Sequence, residues 1–272
     1  MKYMYLLVFA VLPGLFSCNN GSADKETVKA PAIKTQDISY TSDSTVLIGF
    51  VAYDANSTAK RPVVLIVHEW WGLNDYVKGR AKQLAELGYL AIAVDLYGNG
   101  KKGTNPEEAA TLAGPFYQNP AFAKSRFDAA VAKIKTFSQA DTTKIAAMGY
   151  CFGGSVVLNV AKLGEDLKGV VIFHGNLVGV PADKKLLKAK VLVCHGKEDQ
   201  FVKAEEVATF KKQMDSINAD YTFKAYDGAT HAFSNPAATE LGKKFMLPIA
   251  YNAAADVASW NEMKAFFEKI FK

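Results

Sequence analysis

The segment Gly149-Tyr150-Cys151-Phe152-Gly153-Gly154 constrains this chain more tightly than any other. It follows one apolar run, Ile145-Ala146-Ala147-Met148, and leads into another, Val156-Val157-Leu158. A reactive side chain boxed by glycines between two such runs reads as strand, sharp turn and helix, the local form of a nucleophile elbow. The turn strains its central residue and needs glycine where strand and helix backbones nearly touch. It also aims the thiol at a helix N-terminus, where partial positive charge favours a thiolate. Cys151 is therefore the candidate nucleophile. Cysteine more often behaves as a small buried hydrophobe, so the assignment depends on partners elsewhere.

A nucleophile of this kind needs a base, and the base needs an orienting carboxylate. The run Val191-Leu192-Val193-Cys194-His195-Gly196 reads as a strand, with Glu198 and Asp199 just beyond it. An acid there sits at the face where open α/β sheets place their ligands. Asp199, further into the loop and shorter, fits better than Glu198. A further strand, Tyr221 to Tyr226, is followed by Asp227-Gly228-Ala229-Thr230-His231. The order is nucleophile, acid, histidine. His68, His174 and His195 each close an apolar run, where a structural histidine is expected. No HExxH or CxxC spacing supports a zinc site, and no metal or organic cofactor is expected.

Upstream, Pro62 to Val67 reads as a fully buried strand running into His68-Glu69-Trp70-Trp71-Gly72. The loop after it is expected to supply one oxyanion-hole amide, at Trp70, and Phe152 the other. Glu69 stands at the edge of the same pocket, where an unpaired carboxylate is costly. It needs a partner or a task.

The rest of the chain alternates strand and helix. Asp37–Tyr40 and Val46–Tyr53 read as an antiparallel edge hairpin. A helix starts at the N-cap Asn74 and ends at Gly88, and Tyr89–Val94 is the next strand. Residues 106–137 are helical, broken by Pro115 and Pro120. Gly169–Phe173 forms a strand, and Trp260, Met263, Phe267 and Ile270 form the core stripe of a closing helix. Right-handed crossovers then give an α/β fold with a doubly wound, mostly parallel sheet. The segments 98–120 and 233–251 are expected to roof the pocket. Trp71, Tyr76 and Phe233, with Trp70 and Phe152, are candidates to line it, although at least half of these aromatics should simply pack.

At 272 residues, half of them hydrophobic, one sizeable domain is expected. The net charge of +5 is scattered, and no basic block interleaved with aromatics points to nucleic acid. The first residues read as a targeting signal, with Lys2 preceding an apolar stretch, Tyr5 to Phe16, too short to span a bilayer. Leu15-Phe16-Ser17-Cys18 resembles a bacterial lipoprotein signal, with Cys18 the lipidated residue. The expected organisation is a signal over residues 1–17, a flexible tether over 18–35 and a single domain over 36–272. The expected location is the bacterial cell envelope, with the lipid anchor the only membrane contact; ordinary secretion is the alternative. A monomer is expected.

Together these segments resemble the dienelactone hydrolase family, cysteine-dependent members of the α/β-hydrolase superfamily. The resemblance rests on residues 68–74, Gly88-Tyr89, Asp95-Leu96-Tyr97, the elbow, 196–199 and Gly228-Ala229-Thr230-His231-Ala232-Phe233. It implies the α/β-hydrolase fold, a Cys151–His231–Asp199 triad, and a Glu69 that approaches the thiol and helps set its protonation. Members that open dienelactones clamp the substrate carboxylate with two arginines. Asn235 stands at one of those positions, and between Tyr97 and Lys124 there is no arginine, only Lys101, Lys102 and Lys124. The expected activity is cleavage of a small ester or lactone, other than dienelactone, through a cysteinyl acyl-enzyme. The alternatives are a non-catalytic envelope binding protein on the same fold, or an acyltransferase or thiol peptidase using the same triad.

Overall fold

The computed structural model describes residues 30–272, together with Met1 and Tyr3. The expected signal, Cys18 and most of the tether lie outside the described residues. The chain divides into two units, Met1–Ala30 and Pro31–Lys272, and the second carries every element named here. In order these are β1 (Ile33–Ser42), β2 (Thr45–Asp54), β3 (Arg61–Val67), α1 (Asp75–Glu86), β4 (Leu90–Val94), α2 (Pro106–Gln118), α3 (Pro120–Ile134) and β5 (Ala140–Tyr150). They are followed by α4 (Phe152–Lys162), β6 (Gly169–Phe173), β7 (Lys190–Gly196), α5 (Ala204–Ser216), β8 (Tyr221–Tyr226), α6 (Ala238–Phe245) and α7 (Ala253–Ile270).

Two-sided burial of the central strands decides the architecture. Val63, Leu65 and Val67 of β3 face one core layer, while Val64 and Ile66 face the other, as the two-residue repeat of a strand requires. Strands buried on both faces belong inside a parallel sheet covered by helices. The sheet has eight strands in the order β1-β2-β4-β3-β5-β6-β7-β8. The β1–β2 and β2–β4 pairs are antiparallel, and every pair from β4 to β8 is parallel. Helices α1 and α7 cover one face with Val77, Leu84, Met263 and Phe267. Helices α2 to α5 cover the other with Phe116, Phe127, Leu158 and Phe210. This is the doubly wound sheet with an antiparallel edge hairpin that the sequence predicts.

Three boundaries differ from expectation. β1 begins at Ile33, inside the segment assigned to the tether, because its pairing with β2 runs on to Ile33 opposite Asp54. Helix α1 is capped by Leu87, and Gly88 is the left-handed residue after it, at φ 91°. Pro115 does not break the helix: α2 runs through it to Gln118. Pro115 and Thr111, whose carbonyl loses its partner there, are both exposed, so the carbonyl left unpaired is open to solvent. The break falls at Asn119, which ends α2 and caps α3 by accepting from the Phe122 amide at 3.1 Å.

Candidate active site

Cys151 is the single residue between β5 and α4, and it takes φ 52° and ψ −116°. The glycines around it are sterically required. A Cβ on Gly149 would lie 2.1 Å from the Gly153 oxygen, and one on Gly153 would lie 2.2 Å from the Val67 oxygen. The Cys151 thiol is half-buried. Cys194 is buried in β7, where burial pushes its thiol up to about 12. The amides of Phe152 and Trp70 meet no protein acceptor among the described residues.

The acid and histidine arrive on neighbouring strand ends. His231, after β8, has Nδ1 2.8 Å from Oδ2 of Asp199, after β7. Both are buried. Oδ1 of Asp199 accepts the amides of Phe201 and Val202 at 2.8 and 3.1 Å. Burial pushes the Asp199 carboxyl up, but its bond to His231 and those amides hold it below its ordinary value. Glu198 is exposed and accepts only from the Gly228 amide, at 3.1 Å. His231 and Cys151 line the same cavity. Burial works against a charged ring there, yet Cys151 and Asp199 together raise His231 to about 10.

Glu69, beyond β3, is 2% exposed and has a partner: Asn235 Nδ2 donates to its Oε2 at 2.7 Å. Burial pushes its carboxyl up to about 7, against the pull of Asn235, His231 and Arg80. Its backbone is fixed from the other side. His68 Nδ1 donates to the Glu69 carbonyl at 2.6 Å, while Nε2 accepts the Leu96 amide at 3.4 Å. His68, His174 and His195 are all buried.

Glu69, Cys151 and His231 open into a cavity of about 300 Å³. Trp70 and Trp71 line it, and Ala110, Ala113 and Tyr117 of α2 with Leu247 and Ile249 form its outer wall. Two of the expected lining residues do not reach it. Phe233 is fully buried and packs on His174 and Tyr226. Tyr76 turns away to place its hydroxyl 2.8 Å from Ser234 Oγ and its ring against Tyr150. The Phe152 ring likewise packs between Tyr97, Phe116 and Tyr117. Sequence reasoning missed Asn176 and Phe201, which also line the cavity. Phe201 sits only two residues past Asp199, a position that the loop after β7 could have flagged.

A family model described as the dienelactone hydrolase family matches residues 47–271. The chain belongs to the dienelactone hydrolase family. Protein usf of Aquifex pyrophilus is 28% identical to it over 213 residues, 76% of this chain and 88% of the relative. A Yersinia pestis protein provisionally named a carboxymethylenebutenolidase is 30% identical over 201 residues, 69% of this chain and 74% of its own. Among solved structures, P91, a dienelactone hydrolase-like promiscuous phosphotriesterase from metagenomic libraries, matches with a TM-score of 0.84 and 31% identity. That match covers 88% of this chain and 99% of P91. The chain is thus a dienelactone hydrolase-like hydrolase, with the ester- and lactone-cleaving chemistry of that family.

Within this dienelactone hydrolase-like site, neither position expected to clamp a carboxylate carries a cation toward Cys151. Asn235 spends its amide on Glu69. Lys124 is paired with Asp128 and Glu165 at 2.8 and 2.5 Å. Lys101 and Lys102 line a separate surface depression with Asn105, Glu107 and Glu108. Among the described residues, no lysine or arginine lines the cavity around Cys151.

Proposed function

We propose that this protein hydrolyses small, uncharged carboxylic esters or lactones through a Cys151 acyl-enzyme. The observation that carries the reading is the juxtaposition of a strained Cys151 with the Asp199-bound His231 in a cavity free of lysine and arginine. His231, raised to about 10, is the base that takes the Cys151 proton and so yields the attacking thiolate. The thiolate attacks the carbonyl carbon, and the oxyanion settles on the amides of Phe152 and Trp70. His231 Nε2–H protonates the departing alkoxide as the C–O bond breaks. Water then attacks the thioester, His231 takes its proton, and Cys151 leaves as thiolate. Asp199 holds the ring so that Nε2 faces the sulfur throughout.

An uncharged site suits uncharged ligands, because a buried carboxylate without a partner is costly. Neutral phosphotriesters form a second class to test, given the similarity to P91. Export and lipidation at Cys18 complete the proposal, placing the enzyme on the bacterial envelope. The deciding experiment is a panel of neutral aryl esters, lactones, thioesters and phosphotriesters, run with wild type and Cys151→Ala. The alanine variant should lose on the order of 10³-fold or more in kcat. Activity persisting in it would remove Cys151 as the nucleophile. Wild type that binds these compounds without turning them over would make the protein a binding module.

A further inference from the structure

Two non-glycine residues with positive φ stand at the ends of adjacent parallel strands: Cys151 after β5, at 52°, and His174 after β6, at 42°. Backbone strain of this kind persists only where the surroundings over-determine it. Here the two residues are tied to each other. The Cys151 amide donates to the Phe173 carbonyl at 2.9 Å and to Nδ1 of the His174 ring at 3.1 Å. The His174 amide donates to the Cys194 carbonyl at 2.8 Å, which anchors it to β7. Its Nε2 lies 2.8 Å from Oγ of Ser234, three residues past His231.

We propose that His174 is a positioning residue that couples the two arms of the triad, gripping the Cys151 backbone through Nδ1 and the His231 loop through Nε2. The ring can play both parts in only one form. Nδ1 must be unprotonated to accept an amide N–H, so the proton sits on Nε2 and is donated to Ser234. An imidazolium would aim an N–H at the Cys151 amide and release the elbow. The surroundings hold the ring neutral. It is fully buried, and the groups facing it are His231, at 5.2 Å between ring centroids, Arg80, and His195, which burial keeps below its ordinary value. The Tyr150 phenol packed on it, and the Tyr76 phenol that shares Ser234 with it, are themselves kept protonated by burial. Burial first, and then the His231 charge, keep His174 well below its ordinary value.

The proposal rests on Cys151 being the nucleophile, and its test has an arm that does not. In the full-length wild type labelled with ¹⁵N-histidine, two-bond ¹H–¹⁵N spectra should show His174 as the Nε2–H tautomer throughout the range of pH over which the protein stays folded. An Nδ1–H tautomer, or an imidazolium form, would overturn the proposal whatever the substrate proves to be. The second arm compares His174→Gln with His174→Asn. An asparagine oxygen falls near Nδ1 and tolerates positive φ, whereas glutamine reaches toward Ser234 and leaves the Cys151 amide without its side-chain acceptor. His174→Gln should lower kcat on p-nitrophenyl acetate by about 100-fold, with KM changed less than about twofold, as a displaced reacting group does. Iodoacetamide alkylation of Cys151 should slow in parallel. His174→Asn should recover about tenfold or more of both losses. Equal losses in the two variants, or no loss in His174→Gln, would overturn the proposal. If Cys151→Ala stays active while the tautomer is as expected, the nucleophile assignment fails and the His174 geometry stands.

Discussion

The side-chain amide of Asn235 donates to Oε2 of Glu69 across 2.7 Å, and both side chains are almost wholly buried. Glu69 therefore has a partner that satisfies one lone pair without supplying a charge. A guanidinium at the same place would hold Glu69 as a carboxylate. With asparagine there, burial dominates, and the carboxyl is pushed up to about 7. Near neutral pH Glu69 can therefore hold or release a proton in the cavity that Cys151 also lines.

That shift predicts how stability depends on pH. The native state binds the Glu69 proton more tightly than the unfolded chain does. Stability from this group is therefore full below its ordinary value of 4.5 and lost as pH rises through about 7. Glu69→Gln keeps the shape and removes the titration. At pH 8 it should be more stable than wild type by as much as about 3 kcal/mol, and near pH 4.5 the two should converge. Urea denaturation at both pH values checks this. A difference that does not change with pH would show that Glu69 is ionised in the fold throughout.

The two adjacent acids after β7 should behave differently. Asp199→Asn removes the acceptor of His231 Nδ1–H and should cost on the order of 10⁴-fold in kcat. Glu198→Gln touches an exposed side chain bonded to one loop amide and should change kcat less than about threefold. The Asn variant should also lower the His231 pKa, measured by NMR. Comparable losses in the two variants would exchange their roles.

What sequence disclosed about this site is what sequence encodes locally. The strand ends holding Glu69, Cys151, Asp199 and His231 were legible because each is an apolar run closing on glycine or a polar loop, in a fixed order. The need for glycine at 149 and 153 was legible because an elbow has one geometry. Pairings across distant segments were not. Asn235 looked like a missing arginine, and only the fold brings its amide to Glu69, 166 positions away. Tyr76 and Phe233 have the right chemistry for a pocket wall, but nothing in their neighbours fixes which way the side chains turn. His174 read as a structural histidine, and its grip on Cys151 depends on the register of β5 beside β6.

Substrate charge should follow the same logic. Charge-assisted hydrogen bonds are worth roughly 1.5–3 kcal/mol, so neutral aryl esters should exceed anionic dienelactones by about 10- to 100-fold in kcat/KM. Asn235→Arg should leave most of that gap, because Glu69 would take the guanidinium before any substrate did. Steady-state kinetics on both substrate types decides it. A wild type that prefers the anionic lactone would require one of Lys101 and Lys102 to reach the cavity.

Two glycine substitutions should have opposite signs. Gly153→Ala sets a methyl 2.2 Å from the Val67 carbonyl oxygen, which is backbone and cannot yield. It should cost on the order of 4 kcal/mol or prevent folding. Gly79→Ala, within α1 and with nothing within 4 Å of the added methyl, should stabilise by about 0.5–1 kcal/mol. Thermal melts of both variants test the elbow's close contact directly.

The lipidation proposed at Cys18 predicts a processing signature. Globomycin, which blocks lipoprotein signal peptidase, should make a larger precursor accumulate in a bacterial host. Cys18→Ala should release the protein from the membrane fraction, since stable attachment takes more than one acyl chain. A wild type found in the soluble fraction would point to ordinary secretion.

The two sides of the cavity have separate origins. Glu69, Cys151 and His231 follow the ends of β3, β5 and β8, while Ala110, Ala113, Leu247 and Ile249 come from α2 and the segment after α6. No hydrogen bond joins the four outer side chains to the reacting groups. Exchanging an alanine of α2 for something larger reshapes the chamber without touching the machinery beneath it. New preferences could therefore accumulate one wall residue at a time, each change trimming the guest list while the chemistry is inherited intact.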